Sequence, residues 1–371
     1  MSDLQTEYSV DEPLNREPPL KDLVSSFLTT KNGYDRNHGP IPHLDASKHI
    51  VQVDGAVKRQ LSLSVDDLKT LTQHEVVCAL QCAGNRRHTM RTQIKEVQGV
   101  DWYDGAVMNC KWEGPLLKDV LVHAGIDIEE SRWKETHVAF ACFQVKVQED
   151  DWYGGSIPLD RAMRADAEVV LALKMNAEVL KPNHGFPVRV VVPGVAGARS
   201  VKWLDRITVQ ATESKNFYQQ HDYKILPPHI DSAQAAENMW ANVPALEEMP
   251  VNSVIAVPQP GSITELGSDG CIEVSGYALP SGESGPVVKV EVTADEGIHW
   301  VEAELLSDDE HKGKWAWTLW KTRISMEKGK SQRLFSRATD NAGNVQESMT
   351  MWNLRGVCYN GYGETRDLAI V

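Results

Sequence analysis

A ten-residue stretch carries the densest chemistry in the chain: Cys78-Ala79-Leu80-Gln81-Cys82-Ala83-Gly84-Asn85-Arg86-Arg87. It begins inside an apolar, strand-like run, Val76 to Leu80, breaks into small and turn-forming residues, and ends on two arginines. Arginine keeps its charge in a protein. A thiol a few residues away is drawn toward the thiolate, the form that binds soft metals and attacks electrophiles. Cys82 reads as that soft ligand or nucleophile, with the arginines facing an anion beside it.

A second chemical region runs through His184-Gly185-Phe186-Pro187-Val188-Arg189 and on to Gly197-Ala198-Arg199-Ser200-Val201-Lys202-Trp203-Leu204. Small residues at 194–198 let backbone approach a ligand closely, and Arg189, Arg199, Ser200 and Lys202 supply donors. That is the chemistry of a phosphate site. It is neither a Walker loop nor a GxGxxG turn. Earlier, Gly and Pro hold Tyr34 to Pro42 as a non-repetitive loop that presents polar side chains. The C-x₃-C pair at Cys78 and Cys82 lacks a partner pair at structural-zinc spacing. A Cys/His hydrolase with His88 or His184 as base lacks any local signature and leaves the arginines without a purpose.

These residues must be positioned by short elements. Alternating runs between His49 and Leu63 predict strands. Ser64-Val65-Asp66-Asp67 predicts a capped helix start, and Gly114 to Leu121 a helix ended by Gly125. Val169–Leu173 and Val188–Val192 suit buried strands. Prolines punctuate residues 227–260. Beyond them, Val287–Val292, His299–Leu305, Trp315–Trp320 and Arg333–Ala338 have the spacing of a β-sandwich, with a turn at Asp340–Asn344. The reading is an α+β chain: an irregular N-terminal arm over 1–30, a mixed α+β domain over 31–240 and a sandwich over 241–371.

The chain has 371 residues, 42% hydrophobic and 24% charged, with a formal net charge of −14. That balance argues against nucleic acid or an anionic membrane as partner, and it makes local arginine clusters informative. Six cysteines with no CxxC pair read as reduced thiols. No secretory, mitochondrial or C-terminal peroxisomal signal and no membrane-spanning run is seen, so an intracellular, cytoplasmic location is expected.

The stretch Gln81 to Arg87 resembles the signature of the molybdenum oxidoreductases of the sulfite oxidase and assimilatory nitrate reductase family. The resemblance extends through Arg36 to Pro40, His184 to Arg189, Gly197 to Leu204 and Trp352 to Val357. It implies a mixed α+β molybdenum-cofactor domain followed by an immunoglobulin-like dimerisation domain. It implies molybdopterin as cofactor, with Cys82 as the metal ligand and Tyr34, Asp35, Arg36, Asn37, His38, His184, Arg189, Ser200, Val201 and Lys202 around the cofactor. A substrate pocket of Arg36, Arg87, Tyr223, Arg355 and Trp102 is implied beside it.

Arg355 and Tyr223 are of the sulfite type, so oxidation of sulfite to sulfate by oxygen-atom transfer is the implied activity. Reduction of nitrate, or conversion of another oxyanion on the same cofactor, is the alternative. A non-catalytic binding protein dominated by its sandwich is a more distant one. The haem-free plant layout is the nearest, so neither haem nor flavin is expected. The implied partners are sulfite and other small oxyanions, dioxygen or a soluble carrier as electron acceptor, and a second copy of the chain. Departures from the family pattern are Gln98 in place of a basic residue, Gln144 in place of an aspartate, one extra residue between Arg87 and Trp102, and a tail without the usual Trp-His.

Overall fold

The computed structural model describes residues 8–30, 33–306 and 308–371. A five-stranded sheet runs in the order Leu61–Ser64, Ile50–Gly55, Arg206–Gln210, His137–Cys142, Tyr153–Pro158. Only the pairing of Arg206–Gln210 with Ile50–Gly55 is parallel. Alternation sends Val51, Val53, Val138, Phe140, Ile207 and Val209 into one core, as a period of two requires. The Val65–Thr70 helix starts on a complete capping box between Ser64 and Asp67. The Leu117–Ala124 helix stops at Gly125, whose φ of 74° is free of strain only without a side chain.

A second sheet holds the chemistry. His74–Gln81 pairs antiparallel with Val107–Gly114, setting Cys78 opposite Cys110. Cys82 lies one residue beyond this strand, where the chain leaves the sheet. The buried run around residue 190 is likewise a strand, Arg189–Val191, paired with Val170–Ala172.

Two further sheets follow. One has the order Asn252–Val257, Cys271–Leu279, Thr318–Ser325, Glu304–Leu306. The other has the order Ile263–Thr264, Gly363–Ile370, Gly329–Asp340, Val287–Thr293, Val301–Glu302. Ile272, Val274 and Trp320 of the first share a core with Val290, Val292, Leu334 and Leu368 of the second. That shared core makes the pair a β-sandwich. The run expected as one strand at His299–Leu305 changes sheets at Ala303. The strand expected at Trp315–Trp320 instead spans Thr318–Ser325. Trp315 and Trp317 are buried from the turn before it, and Trp317 Nε1 donates to Phe27 O at 2.8 Å.

The arm before residue 31 has little regular structure, but it is packed. Its first seven residues lie outside the described residues. Leu14 and Leu23 are buried. Asn15–Arg16 pairs with Asp35–Arg36, and the Glu17 carboxylate accepts the Tyr103 and Gly105 N–H groups at 2.8 and 2.9 Å. The strand and N–H partners that tie it down lie far away in sequence.

Arg86 joins the mixed α+β unit to the sandwich. Its guanidinium donates to Asn252 Oδ1 at 2.8 Å, Gly361 O at 2.6 Å and Tyr362 O at 2.7 Å, and lies over the Tyr359 ring. Removing one partner of a buried charged network costs about 3–5 kcal/mol because the remaining groups stay dehydrated. Arg86→Met is expected to lose roughly that much in urea unfolding; a loss below about 1 kcal/mol would reject the linking role.

Candidate active site

Where the first strands of the chemistry sheet end, a cavity opens. Tyr34, Arg36, Asn37 and His38 reach it from the loop after the arm, and Cys82 and Ala83 from the turn after His74–Gln81. His184, Arg189, Ser200 and Lys202 come from the segment 184–202, and Tyr223 from the end of a single π-helical turn, Tyr218–Asp222. Such turns are rare and cluster at functional sites. Of the expected residues, Asp35, Arg87, Trp102, Val201 and Arg355 do not line the cavity.

Those five stand behind or beside it. Asp35 is buried and receives Arg16 at 2.6 Å and the Asn183 amide at 2.8 Å. Val201 is fully buried in the main core. Trp102 packs in the apolar cluster that contains Cys82, and its indole N–H has no partner. Arg87 donates to Arg355 O at 2.9 Å and Val100 O at 2.8 Å. Its path is cleared by Gly84, Gly99 and Gly356, where an added Cβ would come within 2.5–2.8 Å of the Arg87 side chain. Arg355 is paired with Asp222, and its other terminal nitrogen donates to Gln98 Oε1 at 3.3 Å. Gln144 is turned away, donating to Asp205 at 2.8 Å, while Val145 and Val147 face the cavity.

Three cations, Arg36, Arg189 and Lys202, line the cavity, and no carboxylate does among the described residues. Burial and the neighbouring Arg189 guanidinium push the Lys202 ammonium down to about 7. Burial pushes Arg189 down to about 10, against the pull of Tyr34. Arg189 Nε is buried without an acceptor. Buried charge of one sign, left uncancelled, is costly. An anionic group in the cavity removes that cost. Gly197 belongs to the same wall: a Cβ there would come within 2.7 Å of the Tyr34 hydroxyl. A soft thiol at one end, a cationic wall free of carboxylates, and close backbone approach fit a phosphate-bearing cofactor that binds a thiophilic metal.

His38 sits among the aromatic rings of Tyr153, Tyr218 and Tyr223. Burial, then the cations Arg36, Lys202, Arg355 and Arg87, hold its imidazole well below the usual range, so it is neutral. Burial also keeps the Tyr223 phenol protonated, well above its ordinary range. His184 is pushed down to about 4, chiefly by burial. Residues not singled out from sequence complete the site. Tyr153 and Asn183 line it, and Asn15 and Arg16 support its first loop from behind. Tyr153 stands before Gly154-Gly155, a small-residue pair next to an aromatic, which was the available signal.

Two family models match the chain, an oxidoreductase molybdopterin binding domain over residues 38–218 and a Mo-co oxidoreductase dimerisation domain over 243–365. The chain is 38% identical to a sulfite oxidase of Arabidopsis thaliana, over 93% of its own length and 89% of the relative's. It belongs to the sulfite oxidase family. A mitochondrial sulfite oxidase of Rattus norvegicus is 42% identical over 94% of this chain, which spans 63% of that relative's length. The sulfane dehydrogenase SoxCD of Paracoccus pantotrophus has the same fold, with a TM-score of 0.74, 23% identity and coverage of 96% of this chain and 88% of that one. The match to the molybdopterin binding domain takes in most residues that line the cavity, but not Tyr34, Arg36, Asn37 or Tyr223, and the match to the dimerisation domain takes in most of the sandwich.

The lowered Lys202 value has a consequence for the cofactor-free protein. Between about 7 and its ordinary value of 10.5, the unfolded chain binds this proton and the folded one does not. Stability contributed by this group therefore rises with pH across that window, and its penalty is fully present below about 7. The melting temperature of cofactor-free protein is expected to rise from pH 7 to pH 9. Added phosphate should raise it most at the acid end, where the charged wall most needs an anion. A phosphate response that is absent, or larger at pH 9, contradicts this account of the wall.

Proposed function

We propose that the chain oxidises sulfite to sulfate at a molybdenum centre bound through Cys82. The observation that carries the reading is the cationic, carboxylate-free cavity lined by both the Cys82 thiol and the Tyr223 phenol. Tyr34, Arg36, Asn37, His38, His184, Arg189, Ser200 and Lys202 would hold the pterin and its phosphate, with Asp35 and Val201 supporting them from behind. When bound, the cofactor supplies the two-electron couple that oxygen-atom transfer to sulfur requires.

The chain's own residues bind and orient the anion. Arg36, Arg87 and Arg355 provide the attracting field. One cation about 4 Å from an anion contributes roughly 4 kcal/mol at an effective dielectric of about 20, before desolvation. Tyr223, as a neutral phenol, donates a hydrogen bond to an oxygen of substrate or product. Trp102 closes the apolar side. Asp222 holds Arg355 until an anion competes for it.

The molybdenum-cofactor domain is taken as residues 31–240, after the arm, and the sandwich of 241–371 as the surface that pairs two copies. Electrons leave to dioxygen or a soluble carrier, without haem or flavin in this chain. No helix among the described residues is long and apolar enough to cross a membrane. The six unpaired cysteines support a reducing, cytoplasmic setting.

Cys82→Ser is expected to abolish sulfite turnover while the melting temperature changes little. Sulfite-dependent activity that survives intact, measured as oxygen uptake and as reduction of added cytochrome c, rejects the assignment. The same pair of assays identifies the acceptor. Arg355→Met should raise the Michaelis constant for sulfite about tenfold, the equivalent of roughly 1.4 kcal/mol of lost anion attraction. An unchanged constant removes Arg355 from the pocket.

A further inference from the structure

Four residues form a hydrogen-bonded chain that runs from the N-terminal arm into the cavity. The Asn15 carboxamide oxygen accepts from Arg36 Nη1 and from the Asn37 N–H, both at 3.1 Å. Arg36 Nη2 lies 3.0 Å from His38 Nδ1. His38 Nε2 lies 2.8 Å from the Tyr223 hydroxyl. Asn37 in turn donates through its own amide to Leu14 O at 2.8 Å, which pins the arm strand to this loop.

The direction of every bond follows from donor chemistry. A guanidinium has no acceptor. His38 Nδ1 must therefore present its lone pair to Arg36. A ring protonated at Nδ1, alone or doubly, would set N–H against N–H. The proton sits on Nε2, and that N–H donates to the Tyr223 oxygen. The phenol's own proton then points elsewhere. Among the described residues the Tyr223 hydroxyl has no other partner, and Tyr223 lines the cavity.

We infer that His38 is a positioning residue: Arg36, oriented by Asn15, locks its ring in the Nε2–H tautomer, which aims the Tyr223 hydroxyl proton at the bound oxyanion. This assigns to His38 a role distinct from holding the cofactor. It also assigns Asn15, on the arm, to the substrate site. The neutrality of His38, enforced by burial and by Arg36, Lys202, Arg355 and Arg87, agrees with the geometry. The rings of Tyr153 and Tyr218 packed around it, at centroid distances of 5.4 and 3.8 Å, restrict its rotation. The inference rests on the cavity being the oxyanion site proposed above.

Two measurements on the oxidised holoenzyme test it. In nitrogen-15 spectra of histidine-labelled protein, the resonances lost in His38→Gln are expected to show the pattern of a neutral ring protonated at Nε2. A ring protonated at Nδ1, or at both nitrogens, overturns the inference, whatever the substrate proves to be. The second measurement is a double-mutant cycle on sulfite turnover, with molybdenum content determined for each variant. His38→Asn keeps an acceptor at the Nδ1 position and loses the Nε2 donor. It should lower kcat about tenfold in the presence of Tyr223, the scale of one hydrogen bond. On a Tyr223→Phe background it should have almost no further effect, because the group it orients is gone.

His38→Gln keeps a donor at the Nε2 position and should recover part of the loss. Losses that simply multiply, or equal losses for Asn and Gln, show a general packing role and overturn the inference. A wild-type holoenzyme with no sulfite turnover refutes the proposed function instead, and the ring spectrum still decides the tautomer.

Discussion

The site depends on how its buried cations are hydrogen-bonded. Arg189 donates to His184 O and Ser200 O, Arg199 to Tyr218 O and Leu246 O, and Arg87 to Arg355 O and Val100 O. Lys202 donates to Asn183 O and Arg36 O. Main-chain carbonyls satisfy the geometry of a guanidinium or ammonium but do not cancel its charge. A carboxylate in the same place would do both, and would leave nothing for a ligand. The fold thus carries a cationic wall that is fully hydrogen-bonded in most directions yet electrostatically unfinished. Ligand binding is the completion of that wall, and the lowering of Lys202 by burial and by Arg189 points the same way.

Two adjacent arginines show how one turn serves two purposes. Arg86 precedes the Arg87–Gln93 helix with a φ of 67°. That left-handed residue reverses the direction of successive side chains at the end of the chemistry strand. The first goes into the sandwich, to Asn252, Gly361 and Tyr362. The second runs between three glycines to the Arg355 and Val100 carbonyls. The same turn begins with Cys82, and Ala83 O receives the Cys358 N–H from the far end of the chain at 2.8 Å. The position of the thiol is therefore coupled to the packing of the two units. A change in their relative placement would shift the Cys82 thiol directly.

Much of this was legible in the sequence, for reasons that can be named. Strands with one buried face write a period of two, and the Ser64 box and Gly125 stop write the helix ends. Of the cavity residues, Cys82, Arg189, Ser200 and Lys202 lie in motifs whose residue types state their chemistry, whereas Tyr34, Arg36, Asn37, His38, His184 and Tyr223 were expected through the family resemblance. Long-range partners were not legible. Asn15 and Arg16 look like any polar pair in an irregular arm, because their roles come from Arg36, Asn37 and Asp35 about twenty residues on. Glu17 is recognisable only once the Tyr103–Gly105 turn is beside it. Arg87 and Trp102 have the right chemistry for a pocket, but the glycines and the apolar cluster that set their depth are read only in three dimensions. The Trp315–Trp320 run alternates like a strand. Trp317 was instead drawn to a carbonyl of the arm, and regular pairing begins one residue after it.

On the proposed reading, Arg355 beside the cavity balances capture against release. An oxyanion pocket made only of free arginines would bind a dianionic product too well to turn over. Here the outermost arginine is already engaged. Arg355 is held by Asp222, which stands next to Tyr223, and by the neutral Gln98 rather than by a second cation. An incoming anion must draw Arg355 away from a carboxylate, and a departing one leaves as that carboxylate takes it back. The net gain from Arg355 is the difference between two ion pairs, smaller than either alone. Because Asp222 ends the π-helical turn that carries Tyr223 into the cavity, engagement of Arg355 and placement of the phenol share one short segment. A variant that lengthened or straightened that turn would alter both together.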